Sequence, residues 1–202
     1  MQIVPQLHEI LYITPNPLTL IEQAGRTCYK SNSDFTAESG QKFAKSLLQR
    51  GHESVIEHCV ATIKFITNRG VSHELVRHRL ASFAQSSTRF IDYQYNIEFI
   101  KPVWWDDSST KQRDVWVEAM TRAERAYCEL RELGWAAEKA REVLPNSLKT
   151  EIVVTANLRE WRHILKLRTS EKAHPQIRAL MLPILTELQQ VVPIIFNDIA
   201  GK

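Results

Sequence analysis

Nine consecutive residues, CVATIKFIT at positions 59–67, alternate apolar and polar side chains well enough for a half-buried strand, yet most of the chain around them has helical period. A strand set among helices in this way constrains the fold more than any other feature. Gly70 separates it from a helix beginning near Ser72. The opening segment, through Leu11 to Thr14, reads as another strand, which Pro15 and Pro17 turn into a helix carrying Leu18, Ile21 and Ala24. A second helix over residues 39–50 ends at Gly51. Downstream, residues 90–100 resemble a strand region rich in aromatic and β-branched side chains, and residues 113–133 form a strongly charged amphipathic helix. A short helix from Ala136 stops before Pro145, EIVVTAN is extended, and helices cover residues 158–168 and 175–197. Because these elements do not alternate as in a doubly wound fold, the expected class is α+β, helix-rich around a small sheet. With no linker, repeat or biased tract, one domain over residues 1–202 is expected.

A chain of 202 residues with 44% apolar and 24% charged side chains can bury a core without disulfides or metals, which excludes a disordered or low-complexity protein. Its formal charge of +3 is too mild for a bulk nucleic-acid binder but leaves room for a local arginine cluster that meets phosphate. Cys28, Cys59 and Cys128 are far apart, with no CxxC pair, and fit a reducing compartment. The opening MQIVPQLHEILYITPNP has no basic segment leading into an apolar one, and no apolar run approaches a membrane span, so a cytoplasmic protein without membrane partners is expected.

The local basicity is concentrated in RHRLASFAQSSTR, from Arg77 to Arg89, which holds three arginines, a histidine and three serines. On a helix of about 100° per residue, Val76, Leu80 and Phe83 share an apolar side while Arg77 and Arg79 point to opposite flanks, towards two different partners or towards one ligand and one neighbouring subunit. Past Phe83 the small polar residues suggest a loop whose hydroxyls and N–H groups, with Arg89, can accept phosphate. Arginine clusters are more commonly solvated faces or surface salt bridges, so the stretch alone leaves both readings open.

A second constellation lies in TANLREWRHILKLR. At about 100° per residue Leu158, Trp161, Leu165 and Arg168 fall within a quarter-turn, so Arg168 ends an apolar stripe and needs an anionic or carbonyl-rich partner. Arg159, Arg162, His163 and Lys166 are expected on the other side, Arg159 and His163 one turn apart, with Asn157 as N-cap. A third piece, GHESVIEHCV, carries His52, Glu53, Glu57 and His58, but its histidines lack the i, i+4 spacing of a zinc-binding helix, so no metal is expected there. It reads instead as a ligand-contacting loop.

These pieces together resemble one family. RHRLASFAQSSTR matches the RHRxxSxxxxSxR signature of the flavin-dependent thymidylate synthases, with Arg77, His78, Arg79, Ser82, Ser87 and Arg89 at all six fixed positions. GHESVIEH is similar to the family's GHxSxxEH segment, and AREVLP and TANLREWRHILKLR follow in the family's order, so the resemblance covers nearly the whole chain. It implies a homotetramer of mixed α+β fold, its sheet mixed or antiparallel, whose active sites are assembled from several subunits around FAD. It further implies reductive methylation of dUMP to dTMP, with 5,10-methylenetetrahydrofolate as one-carbon donor and NADPH as reductant.

Position by position, the resemblance implies that Ser54, Arg77, His78, Arg79, Gln85, Asn157, Leu158, Arg159 and His163 meet FAD. It gives dUMP to Glu74, Leu75, Val76, Arg77, Gln85, Ser86, Ser87, Thr88, Arg89, Arg141 and Arg168. Arg168 takes the catalytic part, its fixed charge binding the uracil edge and favouring loss of the N3 proton. Ser87 is a rival nucleophile, but SSTR supplies no adjacent base, and a phosphate hydrogen bond suits it better. The sequence departs from the family at Ala84 and Gln85, where Asn-Glu is usual, and at Glu74, where glutamine is common. Two other classes use the same arginines, a non-enzymatic nucleic-acid-binding module and a structural oligomerisation protein. Neither accounts for Arg168 within an apolar stripe.

Overall fold

The computed structural model describes residues 1–28, 30–31, 35–94 and 96–201. In chain order its elements are β1 (Gln2–Val4), β2 (Leu7–Ile13), α1 (Pro17–Thr27), α2 (Ala37–Gln49), a 3-10 turn (Glu53–His58), β3 (Val60–Asn68), α3 (Arg69–Leu75) and β4 (Ala81–Gln85). They continue with β5 (Glu98–Ile100), α4 (Thr110–Glu132), α5 (Ala137–Ala140), a 3-10 turn (Arg141–Val143), β6 (Lys149–Asn157), α6 (Leu158–Arg168), α7 (Pro175–Val191) and α8 (Pro193–Phe196). Roughly half the chain is helical and the sheets are small, which is an α+β protein. Among the described residues no helix is long and apolar enough to cross a membrane.

Two strands organise the fold by the alternation legible in their sequences. β3 buries Ala61, Ile63, Phe65 and Thr67 and leaves the intervening residues half-exposed; β6 does the same with Thr150, Ile152, Val154 and Ala156. They lie centrally in a four-stranded sheet of order β2-β3-β6-β4, while β1 and β5 pair in parallel in a separate two-stranded sheet. Each central strand runs without a loop into a helix, and each ends in an asparagine that caps it. Asn68 Oδ1 accepts the Val71 N–H at 2.8 Å, and Asn157 Oδ1 accepts the Glu160 N–H at 2.8 Å.

The chain packs as two compact units, the first comprising Met1–His8, Lys64–Arg77 and Phe83–Val153, the second Glu9–Ile63, His78–Ser82 and Val154–Lys202. In the first, α4 lays Met120 and Tyr127 against Ile97, Phe99, Ala140 and Leu148. Its start is a capping box in which Ser109 and Gln112 satisfy each other's backbone N–H groups. The buried Tyr127 hydroxyl donates to Asp92 and accepts the Tyr93 N–H, both at 3.2 Å. In the second unit, Ile21, Ile56, Trp161, Leu165, Ile177, Met181, Ile184 and Phe196 are fully buried. There the Trp161 indole N–H donates to the Ala61 carbonyl at 3.0 Å, so the apolar stripe of α6 is also fixed by a polar bond.

The structure corrects the sequence reading at four places. The helix expected from Ser72 through Phe83 stops at Leu75; turns follow, and Ala81–Gln85 is a strand at the sheet edge, its end tied by the Ser86 N–H to the Glu151 carbonyl at 2.9 Å. Val76, Leu80 and Phe83 therefore form no apolar helix side, and Leu80 is 76% exposed. The strand expected over 90–100 shrinks to Glu98–Ile100, because the Phe90 and Ile91 N–H groups turn back to the Ser87 carbonyl; Tyr95 lies outside the described residues. The opening strand is two strands, Gln2–Val4 and Leu7–Ile13. The helix over 175–197 breaks at Val192, where Pro193 begins a new short helix.

Candidate active site

In the second unit, the end of β6 and the first turns of α6 face the 3-10 turn across a cleft of about 600 Å³, which a ligand of moderate size fits. Asn157, Arg159, His163 and Lys166 line it, with Glu53 and Glu57 opposite and Leu80 at the edge. Arg159 donates to Glu57 at 2.6 Å and lies 3.8 Å from Glu53, with half of its side chain still exposed. Ser54 and Arg79 are also exposed. Leu158 is fully buried, and its N–H donates to the Cys59 carbonyl at 2.8 Å, so it shapes the helix start from within.

Arg162 departs from the sequence expectation of a second-side cation. It is 3% exposed, grips both carboxylate oxygens of Asp198 at 2.6 and 2.7 Å, lies 3.3 Å from Glu53 and donates to the Ile195 carbonyl. Four residues beyond Leu158 along a 3.6-residue helix, it flanks the apolar stripe rather than opposing it.

His78 is likewise buried, at 5% exposure, and its Nε2 accepts the Nε–H of the half-buried Arg168 at 3.0 Å. Because Arg168 can only donate, that nitrogen carries the lone pair and the ring proton sits on Nδ1. Nδ1 is 3.6 Å from Glu160 Oε1, and the His163 ring stands edge-on with centroids 5.8 Å apart. His78, Glu160 and His163 bring ligand atoms within 4.8 Å of one another, as a metal site would. Yet one His78 nitrogen is taken by Arg168 and the other is protonated, so its imidazole has no lone pair left to give.

Burial first, then the charges of Arg168 and His163, lowers the His78 value from 6.5 to about 4, while burial raises the Glu160 carboxyl. The His78 ring is therefore expected to stay neutral down to about pH 4, which a proton NMR titration of its imidazole resonances checks; a midpoint near 6.5 would contradict it. Since the unfolded chain takes up this proton first, His78 costs stability as pH falls from 6.5 to about 4. Glu160 acts in the opposite sense, its contribution being lost as pH rises through its raised value.

In the first unit Gln85 and Ser86 are tied to β6, while Thr88 and Arg89 turn to the segment around Arg141 and Glu138. Gln85 donates to Ser72 Oγ at 2.9 Å and to Thr150 Oγ1 at 3.0 Å, so its amide is used inwardly. The Ser86 hydroxyl lies 3.0 Å from that of Thr150 and accepts the Glu151 N–H at 3.1 Å. Ser87 Oγ accepts the Arg89 N–H at 3.3 Å, and the buried Thr88 hydroxyl accepts from Arg141 Nη1 at 3.1 Å. Arg89 reaches Glu138 at 3.4 Å and lies over the exposed Phe90 ring. Arg77 and Val76 are exposed, Glu74 is half-buried, and Leu75 is a core residue. A cleft of about 450 Å³ beside these residues is lined by Ser86, Tyr93, Asn96, Lys149, Thr150 and Glu151 among others. Only Ser86 among them was singled out from the sequence. The alternation of β6, which puts Lys149 and Glu151 on the face opposite Thr150, was the available signal for Lys149 and Glu151.

The cleft beside α6, where Arg159 and Lys166 stand exposed, defines a class, a protein with cations of the kind that receive anionic, hydrogen-bonding ligands; the cleft beside Ser86 is lined by hydroxyls, Lys149 and the carboxylates of Asp92, Glu98 and Glu151. Known proteins make this specific. The family profile described as "Thymidylate synthase complementing protein" matches residues 9–194. A flavin-dependent thymidylate synthase of Geobacter sulfurreducens is 38% identical over 197 residues, covering 94% of this chain and 84% of its own. Those of Mycobacteroides abscessus and Mycobacterium tuberculosis are 35% and 34% identical, each covering 89% of this chain and 78% of its own. The chain belongs to the flavin-dependent thymidylate synthase family, and with it to the FAD-dependent enzymes.

Proposed function

We propose that the chain converts dUMP to dTMP as one synthase domain over residues 1–202, acting as a cytoplasmic homotetramer with active sites shared between subunits. The one-carbon unit comes from 5,10-methylenetetrahydrofolate and the reducing equivalents from NADPH. The observation that carries this reading is Arg168, half-buried at the end of an apolar stripe with its Nε engaged by an imidazole, a charge that cannot be titrated away.

The residues suit the cofactor. Arg159 and Lys166, each about half exposed at the cleft, are cations of the kind a diphosphate needs, although a diphosphate has to displace Arg159 from Glu57. Ser54, Arg77, His78, Arg79, Gln85, Asn157, Leu158 and His163 complete the set assigned to FAD, which when bound supplies the hydride chemistry of the reaction. Ser86, Ser87, Thr88, Arg89 and Arg141 are assigned to the nucleotide, with Arg141 braced on Thr88. Gln85 contributes by tying the loop to Ser72 and Thr150. Arg168 holds the uracil edge and stabilises the charge left when N3 loses its proton, which makes C5 electron-rich enough to attack the folate's methylene carbon.

The purified protein is expected to be yellow, and its reduced flavin to be reoxidised with dTMP formation only when dUMP and methylenetetrahydrofolate are both present. A protein that gains no flavin spectrum on addition of FAD sinks the reading.

A further inference from the structure

The assignment of His78 to the flavin sits poorly with its geometry. The ring is 5% exposed, and both of its nitrogens are directed at protein groups, Nε2 at Arg168 and Nδ1 at Glu160. Little of it is left for a ligand. Arg168 gains from such a partner, because a long cationic side chain at the last position of a helix has rotamer freedom to lose before its donors point in one direction.

We propose that His78 is a positioning residue, which accepts the Arg168 Nε–H and thereby helps to fix the plane of the guanidinium for its work on the nucleotide. The proposal rests on the reading of Arg168 as the catalytic group. Glu160 is the second support. It is 6% exposed, its backbone N–H is held by the Asn157 cap, and its carboxyl faces the ring proton that the Arg168 contact forces onto Nδ1. Among the described residues the charged and titratable groups facing the ring are thus Arg168, Glu160 and His163, all from α6. The ring thus offers its Nε2 lone pair to Arg168 and its Nδ1 proton towards Glu160, and the two supports are not interchangeable. Removing His78 leaves the Arg168 charge in place but takes away the acceptor that aligns its Nε–H, so it affects the chemical step more than affinity for an anionic nucleotide.

The test compares the holoenzyme with His78→Gln, His78→Asn and Arg168→Ala, reading FAD content, kcat, and KM for dUMP. Glutamine can place an acceptor oxygen near the position of Nε2; asparagine is too short. His78→Asn is expected to lose about 10- to 100-fold in kcat, as misplaced catalytic groups do, with KM within about threefold and flavin retained. His78→Gln is expected to recover most of that loss. Equal activity of the Gln and Asn variants, at whatever level, overturns the proposal, and so does loss of bound FAD from the Asn variant as its main effect. If Arg168→Ala turns over like wild type, the underlying reading of Arg168 fails, a result separable from either of these. A His78→Asn protein that does not fold, beside a folded and active His78→Gln, supports the acceptor role, since only the oxygen's reach differs.

Discussion

Arg168→Ala is expected to lower the turnover of dUMP by at least about 100-fold while leaving the flavin spectrum and the fold in place, because it removes a preorganised cation from the point where charge develops. The side chain is half-buried and its helix is anchored elsewhere, by Trp161 on Ala61 and by the Asn157 cap, so truncation beyond Cβ does not threaten α6. The loss should fall mainly on kcat, since several other cations are available to hold the nucleotide's phosphate. Arg168→Lys should be intermediate. It keeps a charge but loses the planar fork and the Nε–H that meets His78. Measuring dTMP formation at saturating substrates settles the matter, and a variant within threefold of wild type would remove Arg168 from the mechanism.

The second large effect concerns stability. Asp198→Asn is expected to destabilise the protein by about 2–4 kcal/mol, because the guanidinium of Arg162 stays buried while its bidentate carboxylate partner becomes neutral. Glu53 and the Ile195 carbonyl remain beside Arg162, which places the loss at or below the usual range for a broken buried pair. In a chain of this length that corresponds to a fall in Tm of roughly 5–12 °C, readable by calorimetry. The converse variant, Arg162→Leu, should cost less, since Asp198 is more than half exposed and can be hydrated. An Asp198→Asn protein that melts with wild type would show that water reaches Arg162.

Much of the architecture was legible because its signals are local. The bounds of α6 coincide with the sequence reading, those of α4 differ by a few residues, and the two central strands alternate visibly. The signature stretch misled for a physical reason. Val76, Leu80 and Phe83 match a helical period by coincidence, whereas Ala81, Phe83 and Gln85 are the half-buried face of a five-residue edge strand, too short to declare its own period. What positions it is pairing with a strand more than sixty residues away. The burial of Arg162 and His78 escaped for a related reason, since Asp198 and Arg168, the partners that make it tolerable, lie 36 and 90 residues distant. Arg168 itself could be singled out because the stripe that half-buries it is contained within its own helix.

The direct passage from β6 into α6 has a further consequence, for evolution and engineering. Without a loop to absorb a change in length, inserting or deleting one residue near Asn157 would rotate the whole of α6 by about 100° relative to the strand. Trp161 would leave Ala61, and Arg168 would turn away from His78 in the same stroke. The junction works as a fixed phase, so variation in length should be tolerated at surface turns such as the one around Gly134 and selected against here.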